Sequence, residues 1–304
     1  MADTPLIDNG IYFTPRGAPL ASFARSNIPL NDRLLVGDRE VILPPRTGDH
    51  DRALTLAAVR YKGHTRCIAI TPRRGRCELR VIDPNSPSLT WDVVDCDARY
   101  ARASGKAVQL GDLLFICGGC LFEEDGHREI MRMNARIDIL HLNTVCFSEG
   151  PVLSYETILS AVRYDDAIIV FGRRIGRGWG ATRLRSATDR GEDFPLPRGI
   201  VTVLAVTVAA YRDVPCALYL IASRDGVGCM YVFTGIRWVE CRAPHPEGCP
   251  ASLHYIYPNP SANNSLVAVF LLEGTCEYHS DADAWFDIDP THITPDTVRE
   301  FVVF

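Results

Sequence analysis

The chain is 304 residues long, 47% hydrophobic and 23% charged, a globular composition with ample material for a core. Its formal net charge of -5 argues against a nucleic-acid binder held mainly by phosphate contacts. No apolar run reaches the roughly 18–20 residues that span a bilayer, and the polar, acidic start from Met1 to Gly10 lacks the pattern of a secretory leader, so a soluble, cytoplasmic protein is the expectation.

In chain order, residues 11–14, 22–25, 34–36 and 40–43 are short strand candidates. Five stronger apolar runs follow, at 67–71, 113–117, 168–171, 218–222 and 267–271, spaced by roughly 45–55 residues. An aromatic residue follows each run at the position expected of an outer strand: Trp91, Phe147, Phe194, Trp238 and Trp285. Two independent markers that share one period identify a repeat. The C-terminal stretch 298–304 alternates apolar and polar residues and is one more strand.

The clearest copy runs from Ala101 to Pro151. The run Leu113–Cys117 stops at Gly118-Gly119, a polar excursion follows, and the runs 137–142 and 145–147 end at Gly150-Pro151. Within 54–95 the segment ELRVIDPNSPSLTWDVV places Trp91 at the end of a similar pattern, with Val81 at its centre.

These residues resemble a kelch repeat, the four-stranded blade of a β-propeller, in which a hydrophobic strand ends in a Gly pair and Tyr- and Trp-bearing strands follow. Val81 stands where the family has Tyr, and Arg102-Ala103-Ser104 resembles the Arg-bearing lead-in to a blade's first strand. The later copies keep the rhythm but replace the Gly pair, with Gly172-Arg173, Ser223-Arg224 and Glu273-Gly274. The resemblance implies an all-β, single-domain propeller of about six blades, with five or seven as alternatives. The blades fall at 11–45 with 298–304, 54–95, 105–150, 156–197, 200–244 and 251–290. Pairing the last strand with the first blade would remove an exposed sheet edge.

Several motifs invite chemistry. Cys117 and Cys120 have thiol-oxidoreductase spacing, but that chemistry needs a helix N-terminus, and here a strand run precedes the pair and no helical pattern follows. His127, His141 and Cys146 lie downstream at no recognised zinc spacing. Asp281, Asp283, Asp287 and Asp289 lack the Gly turn of a calcium loop and read as an outer strand with solvent-facing acids. Asp189 to Phe194 partly resembles the Asp-box hairpin of sialidases, with Ala187 where that motif has Ser or Thr. The eleven cysteines, without pair spacing, read as reduced and mostly buried. No cofactor or metal is implied.

Of 32 basic residues only Lys62 and Lys106 are lysines, which codon usage in a GC-rich genome would produce. About half of the arginines fall in two sets of loops, those between second and third strands and those between blades. The candidate partner-binding residues are Arg73, Arg74, Arg76, Arg173, Arg174, Arg177 and Trp179. Arginine forks suit carboxylates, and Arg and Trp dominate interface hot spots. Charges also collect in loops for solubility alone. The expectation is a non-catalytic module that holds an acidic segment of a protein partner. The alternative is a propeller enzyme or lectin-like binder taking a carbohydrate or small metabolite in the central funnel.

Overall fold

The computed structural model describes residues 11–14, 33–36, 39–42, 55–61, 64–73, 76–83, 86–88, 90–94, 102–103, 105–125, 128–243, 253–258, 264–270, 274–287 and 300–302. Among them every regular element is a strand. The N-terminal strands are β1 (Ile11–Thr14), β2 (Arg33–Val36) and β3 (Arg39–Ile42). A meander follows of β4 (Thr55–Tyr61), β5 (His64–Arg73), β6 (Arg76–Ile82) and β7 (Asp92–Val94).

The third region holds β8 (Arg102–Ala103), β9 (Lys106–Leu110), β10 (Leu113–Cys117), β11 (Cys120–Asp125), β12 (Arg128–Met133), β13 (Ile137–His141) and β14 (Cys146–Glu149). A second plain meander is β15 (Tyr155–Tyr164), β16 (Ala167–Arg174), β17 (Gly178–Leu184) and β18 (Glu192–Phe194). Then come β19 (Thr202–Tyr211), β20 (Val214–Arg224), β21 (Val227–Phe233) and β22 (Trp238–Cys241). The last meander is β23 (Leu253–Pro258), β24 (Ser265–Phe270), β25 (Gly274–His279) and β26 (Ala284–Asp287), after which β27 (Glu300–Val302) pairs antiparallel with β1.

These strands form six four-stranded antiparallel sheets and one three-stranded sheet among the described residues. The sheets divide between two compact units, Pro44–Pro195 and the pair Met1–Leu43 with Leu196–Phe304. Residues 22–25 and 104 lie outside the described residues.

Four of the five apolar runs form or fall within the second strand of their sheets, β5, β10, β16 and β20, and residues 267–270 of the fifth lie in β24, residue 271 being outside the described residues. The reason is burial on both faces. In β16 the run from Ala167 to Phe171 is at most 1% exposed at every residue, and in β20 the same holds from Ala217 to Ala222. A strand covered on both sides needs no polar alternation, so it reads as a continuous β-branched and aliphatic stretch. Burial fades outward. The outermost strands β14 and β26 are half-buried or exposed, and Phe147, Phe194, Trp238 and Trp285 all sit on such outer strands. Trp285 packs its ring on Tyr278 at 5.2 Å and donates from its indole N–H to the Arg242 carbonyl.

Two expectations need correction. The polar excursion after Gly119 is an ordered hairpin, β11–β12, paired in register from Cys120↔Met133 to Asp125↔Arg128. Arg102 and Ala103 pair with β11 as β8, and the first strand of the third four-stranded sheet begins only at Lys106. The hairpin therefore projects from between the second and third strands of that sheet, on a three-stranded sheet of its own.

Gly118 and Gly119 lie at its base with φ of 66° and 87°. Gly118 donates its N–H to the Arg136 carbonyl, and Gly119 accepts from Asn134 N–H. A Cβ on Gly118 would stand 2.8 Å from the Ile158 carbonyl oxygen of β15, so Gly118 is required both by its backbone conformation and by close approach, and Gly119 by its backbone conformation. Gly111 shares the left-handed conformation, at φ 60°, but has open space around it. Gly111→Ala should therefore cost about 1 kcal/mol, and Gly118→Ala about 2–4 kcal/mol because backbone overlap adds to it. Urea unfolding of the two variants checks the difference.

Candidate functional site

The densest group of candidate residues lies at the hairpin between β16 and β17. Arg173 and Arg174 end β16, residues 175–177 turn, and Trp179 is the second residue of β17. Arg173 is directly opposite Trp179 and Arg174 opposite Gly178, so the two arginines point to opposite faces of the sheet. The alternation separates their roles.

Arg174 is turned inward. Its guanidinium grips Asp193 on the outer strand β18, with Nη2 2.6 Å from Oδ1 and Nη1 3.3 Å from Oδ2. Nη2 also donates to the Ala181 carbonyl at 3.1 Å. The side chain crosses the β17 surface at Gly180, where any Cβ would overlap the guanidinium. It ends over the Tyr155 ring, 5.8 Å from the centroid. The Tyr155 hydroxyl is 2.7 Å from that of Thr182. Asp193 is held below the usual carboxylate range by its hydrogen bond to Arg174, and burial pushes Tyr155 upward. Arg174 is therefore a clasp that ties the outer strand to the second strand.

The next sheet along the chain repeats it. Arg224, at the end of β20, reaches Glu240 on β22 with Nη2 2.9 Å from Oε1, and its Nη1 donates to the Tyr231 hydroxyl at 2.9 Å. The positions are equivalent. Arg174 faces Gly178 and Arg224 faces Val227, and four residues further on each third strand, at Thr182 and Tyr231, the acid stands opposite.

The outward set is different. Arg173 is 64% exposed, with Nε 3.3 Å from Glu156 Oε2, and Arg177 is exposed in the turn. Trp179 is half-buried beside Arg173. Ile175, 65% exposed, donates its N–H to the Ser154 carbonyl, which brings the turn against the connection carrying Val152, 96% exposed. Sequence reasoning missed these two apolar residues. A single exposed Val or Ile has no signature until the fold sets it beside others.

Arg73 and Arg76 face each other across the β5–β6 hairpin, at the corresponding position of another sheet, and Arg74 lies outside the described residues. The structure thus gathers Arg173, Arg174, Arg177 and Trp179 at one hairpin and sets Arg73 and Arg76 at another.

The other motifs fall out as follows. Cys117 is fully buried at the end of β10, on a strand and not at a helix N-terminus. His127 is outside the described residues, and His141 bonds the Ser148 hydroxyl across β13–β14 at 2.8 Å. Asp283 is not a solvent-facing acid of the outer strand. It sits in the turn before β26, where Oδ1 accepts from the Tyr278 hydroxyl at 2.8 Å and the Arg242 N–H at 2.9 Å. Asp281 and Asp287 are exposed, and Asp289 is outside the described residues.

Asp189 accepts from the N–H groups of Arg185 and Gly191, at 2.9 and 3.0 Å, which closes the β17–β18 hairpin and lowers its pKa. Cys229, Cys241 and Cys276 are buried and Cys216 is half-buried, while burial pushes the Cys67 thiol up to about 12. Among the described residues no three His, Cys, Asp or Glu side chains converge on a metal position.

The fold is similar to that of YjhT, with a TM-score of 0.57 and 11% identity over 81% of this chain and 85% of that one. It is also similar to the extracellular domain of BT4673 from B. thetaiotaomicron, with a TM-score of 0.54 and 14% identity over 88% of this chain and 32% of that one. This chain therefore spans about a third of the BT4673 chain. Both are all-β, propeller-like folds. At such identities the likeness concerns the fold alone. No protein-family model matches the sequence, and no curated protein matches it.

Removing Arg174 should cost stability, whereas removing Arg173 or Arg177 should not. Arg174→Ala is expected to lose about 1–2 kcal/mol through lost packing on Tyr155 and the lost bond to Ala181. Arg173→Ala and Arg177→Ala should stay within about 0.5 kcal/mol of the parent. Because the folded pKa of Asp193 is lowered, its ion pair stabilises the protein above the unfolded carboxylate range. That contribution is lost as pH falls through the lowered value. The stability gap between the parent and Asp193→Ala should narrow correspondingly on acidification, as thermal unfolding at several pH values would show.

Proposed function

We propose that the chain is a cytoplasmic, non-catalytic interaction module of kelch type, which holds an acidic segment of a protein partner at its strand-two to strand-three hairpins. The observation that carries this reading is the composition of the β16–β17 edge. Exposed Arg173 and Arg177 flank Trp179, with Ile175 and Val152 presenting apolar surface beside them. An apolar centre with a cationic rim gives a partner both a desolvated contact and charge-assisted hydrogen bonds to carboxylates. Arg174 serves by positioning. Its clasp fixes the strand from which Arg173 projects, and with its charge already met by Asp193 it offers little to a partner. Arg73 and Arg76 extend the same chemistry to a second hairpin.

The test is affinity capture from the extract of the source cells, with the parent chain beside Arg173→Glu/Arg177→Glu and Ile175→Asp variants. A stoichiometric protein is expected with the parent, lost with both variants and released by about 0.5 M salt, where screening shortens the reach of the charges to a few ångströms. Retention of that protein by both variants would overturn the assignment of the edge. If no form of the chain retains a protein, the interaction reading falls, and turnover or binding of sugars and small metabolites becomes the reading to pursue.

A further inference from the structure

A cavity lies in a different part of the molecule, at the last four-stranded sheet. In the last four-stranded sheet the residues alternate cleanly between faces. Leu266, Ala268, Cys276 and Tyr278 are buried in the core, with Trp285 packed on it. The opposite face carries Ser265, Glu277, His279 and Phe286, because Ser265 is opposite His279 and Glu277 opposite Phe286 in the strand registers. Glu277 is engaged through both oxygens. The Ser265 hydroxyl donates to Oε1, and His279 Nε2 stands 3.4 Å from Oε2. The imidazole is further braced edge-on against Phe286, with ring centroids 5.2 Å apart and planes at 89°. Glu277 therefore orients His279, which lines an open cavity.

That cavity, about 350 Å³, is lined by Asn264, His279, Asp281, Ala282 and Phe286. Its volume is at the lower end of the range for small-ligand sites. Its rim comes from two turns: Asn264, at φ 61°, accepts the Ser280 N–H, and Asp281 follows in the same turn. Phe286 is 51% exposed there and Asp281 is exposed.

The lining decides the class of ligand. Among the described residues it offers one carboxylate, an imidazole, an amide and an aromatic ring, and neither lysine nor arginine. A second carboxylate, Glu277, lies directly behind the imidazole. The nearby Arg212 is engaged elsewhere, with Nε donating to the Ser280 carbonyl at 3.2 Å and its guanidinium over the Tyr211 ring. A negative rim beside an exposed aromatic ring attracts a cation twice, through Coulomb attraction to the carboxylate and through the ring quadrupole. An anion would be repelled by both.

We propose that this cavity binds an organic cation, a guanidinium or ammonium group on a short alkyl stem, seated between Asp281 and Phe286. The same chemistry is available from a free amine or from an arginine or lysine side chain of a peptide. The site is independent of the arginine edge and does not rest on the interaction reading.

The experiment titrates the full chain with butylammonium, with N-acetylarginine methylamide and with methyl glucoside, by calorimetry and by the ring-proton NMR signals of His279. Saturable binding of the two cations is expected, with shifts at His279 and no response to the glucoside. Asp281→Asn and Phe286→Ala should each weaken binding by about tenfold while leaving the thermal midpoint unchanged. Tighter binding of the arginine derivative than of butylammonium would assign the site to a peptide side chain, and equal binding to free amines. Absence of saturable binding, unchanged affinity in both variants, or glucoside binding that competes with the cations would overturn the proposal. Should a variant fail to fold, the wild-type His279 shifts alone decide, since a cation bound elsewhere leaves them unmoved.

Discussion

The β15–β18 and β19–β22 sheets depend on a second strand that is covered on both faces. In β16 and β20 this leaves runs of five and six residues at no more than 1% exposure, and the other strands of those sheets are arranged around them. A strand with two buried faces has no polar side to lose, so its backbone polar groups must be met by strands on either side. The first and third strands meet that need, and the fourth then protects the third. From this one constraint follow the four-strand meander, the fading of burial toward the outer strand, and the use of large aromatic residues where cover is thinnest.

The outer strands are the weak point of such a sheet. β18 has three residues and β22 four, too few for their ladders alone to hold them firmly. The Arg174–Asp193 and Arg224–Glu240 clasps answer that need by tying the outer strand to the second strand across the third. Both sheets place the arginine at the same register distance from the acid. Repetition at equivalent positions marks a feature of the sheet itself, and the arginines in it are explained by the fold. Arg173 and Arg177 have no counterpart in the clasp: Arg173 is exposed with Nε 3.3 Å from Glu156 Oε2, and Arg177 is exposed in the turn.

Much of this was legible in the sequence, because the signal came from burial. A doubly buried strand is written as an unbroken apolar run, and an outer strand by an aromatic that follows it, so the period of the sheets could be read along the chain. The Gly pair was legible for a similar reason: only glycine tolerates the backbone conformation and the approach of Ile158. The β11–β12 hairpin was missed because charged residues interrupt its apolar ones, Leu121, Phe122, Ile130, Met131 and Met133, although Asp125-Gly126 was a turn signal in plain view. Arg173 and Arg174 could not be told apart at all. Adjacent residues of one type have opposite roles here because a strand turns successive side chains to opposite faces, and the face can be assigned only once the register with Gly178 and Trp179 is known.

The same alternation explains why the cavity in the last sheet escaped the sequence reading. Glu277 and His279 are two residues apart on one strand, Ser265 comes from the strand before and Phe286 from the strand after. In the sequence they are scattered among acids that read as solvated surface. Folding sorts those acids: Asp283 is taken up by Tyr278 and Arg242, Glu277 by Ser265 and His279, and Asp281 is left at the rim. The arginines at the β16–β17 edge undergo the same sorting with the opposite sign, Arg174 being taken up by Asp193. In both places the charge count along the chain overstates what is available to a ligand. The useful quantity is the charge that remains after the sheet has satisfied its own edges.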